Sequence, residues 1–315
     1  MAPLVFRNLD GKLQKQAIAE LDRQSGWWNI LLGVDLDQDG DTDYIGGNLG
    51  LNSRYRADSL QPLQLFVNDF NRDRRVDGIL AYRQDGRLFP MHPRDDVLRQ
   101  LNFLKRKFTS YQSFAEADMV QIFTPELLER SALLESRQMQ SCYLENLGNF
   151  RFRVHPLPPE AQVAPVSGIL SGDFNEDSYP DLLLNGNDFA SEVIQGPHDA
   201  FNGLLLLGDG KGGFRPQASR HTGFWVTGDA QALVHLRAAT GPPLLLAAQN
   251  DGQLLAFRQK VESKRYIRSS AANKTLWLSF PDGRQQKVET YQGSSYLGQS
   301  SADIWLSGGE PEVTH

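Results

Sequence analysis

Three stretches of this 315-residue chain set acidic side chains at the same offsets, which constrains each of them to a tight, oxygen-lined turn. They are Asp35, Asp37, Asp39 and Asp43; Asp69, Asn71, Asp73 and Asp77; and Asp173, Asn175, Asp177 and Asp181. All three read D-x-[DN]-x-D-x-x-x-D. Side-chain oxygens at loop positions 1, 3, 5 and 9, joined by the position-7 carbonyl of Asp41, Arg75 or Tyr179, can converge on one hard cation. Calcium takes roughly six to eight oxygens in flexible geometry, whereas magnesium demands a stricter octahedron and keeps its waters. The expected ion is therefore Ca²⁺, up to three per chain. Acidic turns holding only water would explain one copy equally well, but three copies with identical offsets favour the metal.

An EF-hand would need a glutamate at loop position 12 and a helix on each side. Position 12 is Gly46, Leu80 and Leu184. Each loop also runs into a short apolar stretch (Tyr44–Gly46, Gly78–Leu80, Asp181–Leu184), so the sequence predicts loops that enter strands. Charge ranks them. The first carries five carboxylates, with Asp41 added to the four ligand positions, and should bind tightest. The second is flanked by Arg72, Arg74 and Arg75, which oppose a divalent cation, and should bind weakest.

A formal net charge of −6 argues against a nucleic-acid partner, and three bound Ca²⁺ would cancel it. No apolar run approaches the ~18 residues of a membrane span. Cys142 is the sole cysteine, so no intrachain disulfide forms, which by itself leans intracellular. Calcium loops lean the other way, because weak sites fill only at external calcium levels. Met1-Ala2-Pro3 leads into Val5-Phe6 without a signal-peptide pattern. The expectation is a piece of a longer chain that works outside the cell, on its surface or in the periplasm.

Glycine turns recur ahead of apolar residues at Asp10-Gly11, at Gly148-Asn149-Phe150 and from Gly208 to Phe214. They supply the positive φ of hairpin turns. Apolar strands are predicted from Trp27 to Leu32, Val166 to Leu170, Ala232 to Leu236, Pro243 to Ala248 and Leu254 to Phe257, with Asn250-Asp251-Gly252 as a turn. Short strands separated by glycine turns predict an all-β chain of radial or sandwich type. Between the second and third loops lies a segment of different character, residues 93–140, read as a helical insertion. Val97, Leu101, Leu104 and Phe108 fall at helical intervals there, and Thr124-Pro125 marks a helix start with Thr as N-cap. From Lys274 a small terminal β module is expected, with Leu276–Phe280 and Gln286–Tyr291 as a hairpin and Ile304–Leu306 as the final strand.

The runs from Asp35 to Asn48 and from Asp173 to Asn187 resemble FG-GAP/VCBS repeats, the calcium-loop repeat of integrin-α-type β-propellers. The second loop matches less well, having Arg74 and Arg75 where small residues are usual. The tail, Phe280–Gly283 through Tyr291–Ser301, resembles the ASPIC/UnbV module that follows such repeats in cartilage-acidic-protein-like sequences. The resemblance implies a propeller-like domain over residues 4–262 and a terminal module over 263–315. Integrin-type propellers have more blades than the four read here, centred near residues 30–48, 64–82, 166–207 and 232–257. Either the chain is part of a partial or split propeller, with missing blades supplied by the parent chain or a partner, or the blades close differently.

The function so implied is a calcium-binding module that presents loops to a glycan or protein and carries no catalytic residue. Trp27, Trp28, Trp225, Trp277 and Trp305 are candidates to stack on sugar rings, each more readily read as a core aromatic. Trp27-Trp28 stand out because strand neighbours point to opposite faces, and His92 and His198 are the polar candidates. Two alternatives stay open. One is a polysaccharide lyase or hydrolase using His92 near Asp95 and Asp96, or His198 beside Asp199. The other is a scaffold in which calcium replaces the cross-links that a one-cysteine chain lacks.

Overall fold

The computed structural model describes residues 1–260, 265–267, 275–290, 293, 298–306 and 311–314. The chain opens with a hairpin, β1 (Val5–Leu9) and β2 (Lys12–Gln16), and a helical turn, α1 (Ala19–Asp22). Strands β3 (Ile30–Val34) and β4 (Asp43–Gly47) flank the first aspartate loop, and β5 (Leu63–Asn68) and β6 (Asp77–Gln84) flank the second. β7 (Arg87–Pro90) leads into α2 (Arg94–Gln100), α3 (Tyr111–Ala115), α4 (Met119–Ile122) and α5 (Pro125–Glu129). β8 (Ala132–Ser136), β9 (Cys142–Asn146) and β10 (Phe152–Pro156) follow. β11 (Val166–Gly172) and β12 (Asp181–Gly186) flank the third loop, ahead of β13 (Leu204–Gly208), β14 (Phe214–Gln217) and α6 (Ser219–Thr222). β15 (Ala230–Leu236), β16 (Leu244–Gln249) and β17 (Leu255–Arg258) form a meander. The last strands are β18 (Arg265–Ile267), β19 (Thr275–Ser279), β20 (Gln285–Glu289), β21 (Ile304–Leu306) and β22 (Glu312–Thr314).

The all-β expectation holds. The larger sheets run β10-β9-β4-β3, β7-β6-β5-β8, β11-β12-β13-β14 and β15-β16-β17, all with antiparallel pairing. Smaller sheets join β1 to β2, β18 to β21, and β20-β19-β22. None is closed among the described residues. The chain divides into two compact units. The first comprises Met1–Leu4, Leu21–Trp27 and Tyr55–Met139, and the second comprises Val5–Glu20, Trp28–Arg54 and Gln140–His315. Residues on both sides of position 262 belong to the second.

In the first unit, β6 alternates in the usual way, with Ile79 and Ala81 turned inward. One sheet face alone could not shield them, so the helical segment forms the second layer. Val97, Leu98, Leu101 and Leu104 pack there against Phe66 and Ile79, with Phe108, Phe114 and Phe123. The helical periodicity read from the sequence is correct, but the insertion ends earlier than residue 140. Helix stops at Glu129, and Ala132–Ser136 is strand β8, whose backbone pairs with β5 from Leu63↔Ser136 to Val67↔Ala132. Pro125 stands at the first helical position as expected, but Thr124 makes no side-chain cap. Its side chain bonds to the Glu126 carboxylate instead.

In the second unit, the sheet β11–β14 is buried on both faces. Ile169, Leu182, Leu184, Leu204 and Leu206 enter one core, while Leu170 and Leu183 enter another with Phe224, Leu233 and Ala247. This explains why Leu182-Leu183-Leu184 is a continuous apolar run, since neither face meets water. Each such leucine contributes about 1.5–3 kcal/mol by burial.

Two further expectations are corrected. The strand predicted from Trp27 begins at Ile30, because both tryptophans are used for packing. Trp27 sets its ring edge-on to Tyr55 at 4.7 Å, and Trp28 lies over Gly46, where an added Cβ would meet its ring at 2.6 Å. Ile304–Leu306 is not the final strand, since β22 follows and pairs with β19. Lys274, Tyr291, Gln292 and residues 294–297 of the expected terminal module lie outside the described residues.

Gly186 ends β12 with its Cα against the backbone of Pro165; a Cβ there would fall 1.8 Å from that carbonyl oxygen. Gly186→Ala should lower unfolding stability by about 3 kcal/mol, as forced overpacking does. Urea denaturation of the variant beside the parent protein checks this.

Candidate cation-binding loops

The three loops share one backbone. Positions 4 and 6 of each are left-handed: Gln38 and Gly40 in the first, Arg72 and Arg74 in the second, Glu176 and Ser178 in the third. The position-7 N–H donates to the position-5 carboxylate in each, at 2.8 Å from Asp41 to Asp39, 2.8 Å from Arg75 to Asp73 and 2.9 Å from Tyr179 to Asp177. Such alternation turns the side chains at positions 1, 3 and 5 toward the middle of the turn, and the local Asx bonds hold them there.

The position-9 aspartates do a different job. Asp43, Asp77 and Asp181 each accept the position-2 N–H, from Leu36 at 3.1 Å, Phe70 at 3.0 Å and Phe174 at 2.7 Å. Their second oxygens bind the neighbouring element. Asp43 takes the N–H of Asn146 at the end of β9 (2.8 Å), and Asp181 that of Gly208 at the end of β13 (2.9 Å). At Asp77 the Gln100 side chain of α2 donates at 3.1 Å, since β7 pairs only with the far half of β6. Tyr143 adds a hydroxyl to Asp43 at 3.0 Å. The structure thus brings positions 1, 3 and 5 together and commits position 9 to closing the loop.

The loops diverge in their middles. In the second, the Asn71 side-chain N–H donates to Asp73 at 3.2 Å, and both oxygens of Asp69 accept backbone N–H groups from Asp73 and Arg74. The third repeats this, with Asn175 donating to Asp177 at 2.8 Å and Asp173 accepting from Asp177 and Ser178. The first loop has Asp37 where the others have asparagine, so no amide relieves its carboxylates. Oxygens of Asp35, Asp37 and Asp39 lie within 4.8 Å of one another. Asp35 is 1% exposed, and among the described residues its Oδ1 has no hydrogen-bond partner. Its Oδ2 accepts the N–H of Lys287 at 2.8 Å. The fifth carboxylate, Asp41, lies against Gly148 in the β9–β10 turn.

No family model and no curated protein matches this sequence. Electrostatics carry the description further. Burial, reinforced by Asp39 and Asp37 and opposed by the backbone N–H groups of Lys287 and Gly40, pushes the Asp35 carboxyl up to about 6. Burial also raises Asp43 and Asp181 to about 7 each, and raises Asp37, with Asp39 adding to the effect. Carboxyls shifted in this way gain from a cation that neutralises them.

The remaining candidates are dispersed. Trp27 and Trp28 are both half-buried in the packing described above. Trp225 is 55% exposed. His92 is half-buried, but the carboxylates after it are taken: Asp95 by Arg94 (2.7 Å) and Tyr111 (2.7 Å), and Asp96 by Arg99 (3.2 Å). His198 is buried, its backbone bridged to Asp188, and among the described residues no hydrogen bond joins it to Asp199. The Trp305 side chain lies outside what is described.

Sequence reasoning missed the groups that surround the first loop. Gln38 donates to the Ser178 carbonyl at 2.9 Å, linking the first loop to the third. Arg284 donates to Gln38 at 3.0 Å and stacks 4.3 Å over the Tyr179 ring, and Trp277 covers Gly40. Only the apolar alternation around Trp277 hinted that this strand packs on anything.

Two outcomes follow. Because these aspartates titrate higher when folded, the folded chain binds more protons than the unfolded one between about pH 4 and pH 7, so stability is lost as pH rises through that window. His235, lowered by burial, works in the opposite sense but is a single group. With cations chelated, the melting temperature should be higher at about pH 5 than at about pH 7.5, and Asp43→Asn should flatten the slope. Second, Arg74 holds a left-handed φ of +70°, which a non-glycine residue adopts at a cost. Arg74→Gly should stabilise the protein by about 1 kcal/mol, read by urea denaturation.

Proposed function

We propose that the chain is a calcium-binding module of β-propeller type, in which the first aspartate loop holds Ca²⁺ as a structural staple. The observation that carries this is the Asp35 oxygen, buried and without a donor, in a cluster with Asp37 and Asp39. Leaving a carboxylate oxygen buried and unpaired costs several kcal/mol unless something binds it, on the order of the penalty for any buried unpaired charge. A hard divalent cation is the partner that also relieves the repulsion among the three aspartates. Asp35, Asp37 and Asp39 would supply side-chain oxygens and Asp41 its carbonyl, while Asp43 keeps the turn closed.

The second and third loops would bind more weakly, because Asn71 and Asn175 already bond across their turns. The radial reading draws on four sheets at the four expected centres and on β11 lying beside both β3 and β15. Together with the loop pattern, this supports kinship with FG-GAP/VCBS repeats and an ASPIC/UnbV-like tail. On that kinship the module works outside the cell and presents its turns to a glycan or protein. Among the described residues no helix is long and apolar enough to cross a membrane.

Thermal melts in EDTA, in calcium and in magnesium test the reading. At calcium near 100 times its Kd, the midpoint should rise by about 5 °C or more over EDTA, and magnesium should do little. Asp35→Asn, which keeps the shape and removes the charge, should abolish the calcium shift, whereas Asp73→Ala should leave most of it. A calcium shift that survives in Asp35→Asn would reject the first loop as the main site.

A further inference from the structure

A cavity of about 230 Å³ lies within the second unit, where the C-terminal ends of β3, β11 and β15 meet β20 and residues 299–304. Its lining is largely apolar, with Leu32, Leu170, Leu245 and Val288 contributing. At ~30 Å³ per water it has room for about seven waters. It falls short of the roughly 300 Å³ at which drug-sized pockets begin, so a single-ring molecule is the largest that fits.

Two ion pairs reach the cavity. Lys287 pairs with Glu289 at 2.7 Å and Asp303 with Arg237 at 3.1 Å. Both oxygens of Asp173 accept N–H groups of its own loop. The His235 ring faces the Asp303 carbonyl at 3.4 Å, and burial holds it below the ordinary histidine range, hence neutral at pH 7. A charged ligand would lose its hydration here, and the lysine that lines the cavity is already paired with Glu289. Hydroxyl donors are present. The Ser301 hydroxyl accepts the N–H of Arg237 at 3.0 Å and keeps its proton to give, and among the described residues no hydrogen bond engages the Ser171 hydroxyl.

We propose that this cavity binds a small neutral molecule with an apolar ring-sized body and one hydroxyl or carbonyl oxygen, received by Ser171 and Ser301. The cavity borders the third aspartate loop at Asp173, Ser178 and Tyr179, but binding of a neutral ring needs no cation there. Ligands that bind such sites are held by burial of the apolar body, while the one or two hydroxyl contacts fix orientation.

Benzyl alcohol, benzoate and benzylamine share a ring and differ in charge, which makes them the probes. Saturation-transfer NMR and titration calorimetry on the full chain should show benzyl alcohol binding and the two ions at least about tenfold weaker. Ser171→Phe, which fills the cavity, should abolish benzyl alcohol binding with the melting temperature kept. Should that variant melt early, Ala302→Trp, from another part of the lining, decides in its place. No benzyl alcohol binding, equal binding of all three probes, or binding retained in the folded cavity-filling variant would each overturn the proposal.

Discussion

Asp43 and Asp181 each divide their carboxylate between two parts of the backbone. One oxygen holds the second residue of the loop, and the other holds the last N–H of the next strand in the sheet. Both residues are fully buried. Hydrogen bonds to a charged acceptor are worth about 1.5–3 kcal/mol each, and removing the acceptor would orphan donors from two elements at once. The loop, the strand pair it joins and the third strand are thereby fixed as one unit. The sheets β10-β9-β4-β3 and β11-β12-β13-β14 inherit their register from this bond as much as from their apolar faces. Burial opposes the charged form of both carboxyls, so the same residues that join the elements also titrate well above the usual carboxylate range.

The second loop shows what happens when the third strand is absent at that place. Asp77 keeps its bond to Phe70, but a glutamine from α2 replaces the strand N–H. The helical layer that covers the sheet of the first unit thus also completes its aspartate turn. Sheet and helices are joined by a polar contact at the edge of the core as well as by Phe66, Ile79 and Leu101 within it.

The first loop is the least self-sufficient of the three. Where its relatives close an asparagine across the turn, it sets three carboxylates together and leaves one oxygen of Asp35 without a donor. It is also the most heavily braced from outside, by the Lys287 N–H, the Trp277 ring over Gly40, and Gln38 between Ser178 and Arg284. Bracing holds the carboxylates close in spite of their repulsion. On the proposed function, this bracing would preorganise the loop for a cation.

Much of this was legible in the sequence. The D-x-[DN]-x-D-x-x-x-D offsets determined the three turns, because an Asx side chain bonds to backbone two residues on whatever surrounds it. The glycine turns and apolar runs determined the strands, and the helical spacing of Val97, Leu101 and Leu104 determined the extra layer, because these signals are local. Tertiary structure decided the rest. That β8 returns to the sheet of the first unit, that Trp28 leaves its strand to cover Gly46, and that the Lys287 backbone reaches Asp35 all depend on contacts between residues far apart in the chain. The difference among the loops shows the division most clearly. Sequence placed an aspartate at position 37 and asparagines at 71 and 175, but only the fold buried Asp35 and brought the Lys287 backbone to it, so that the first loop alone gathers three carboxylates around a buried one.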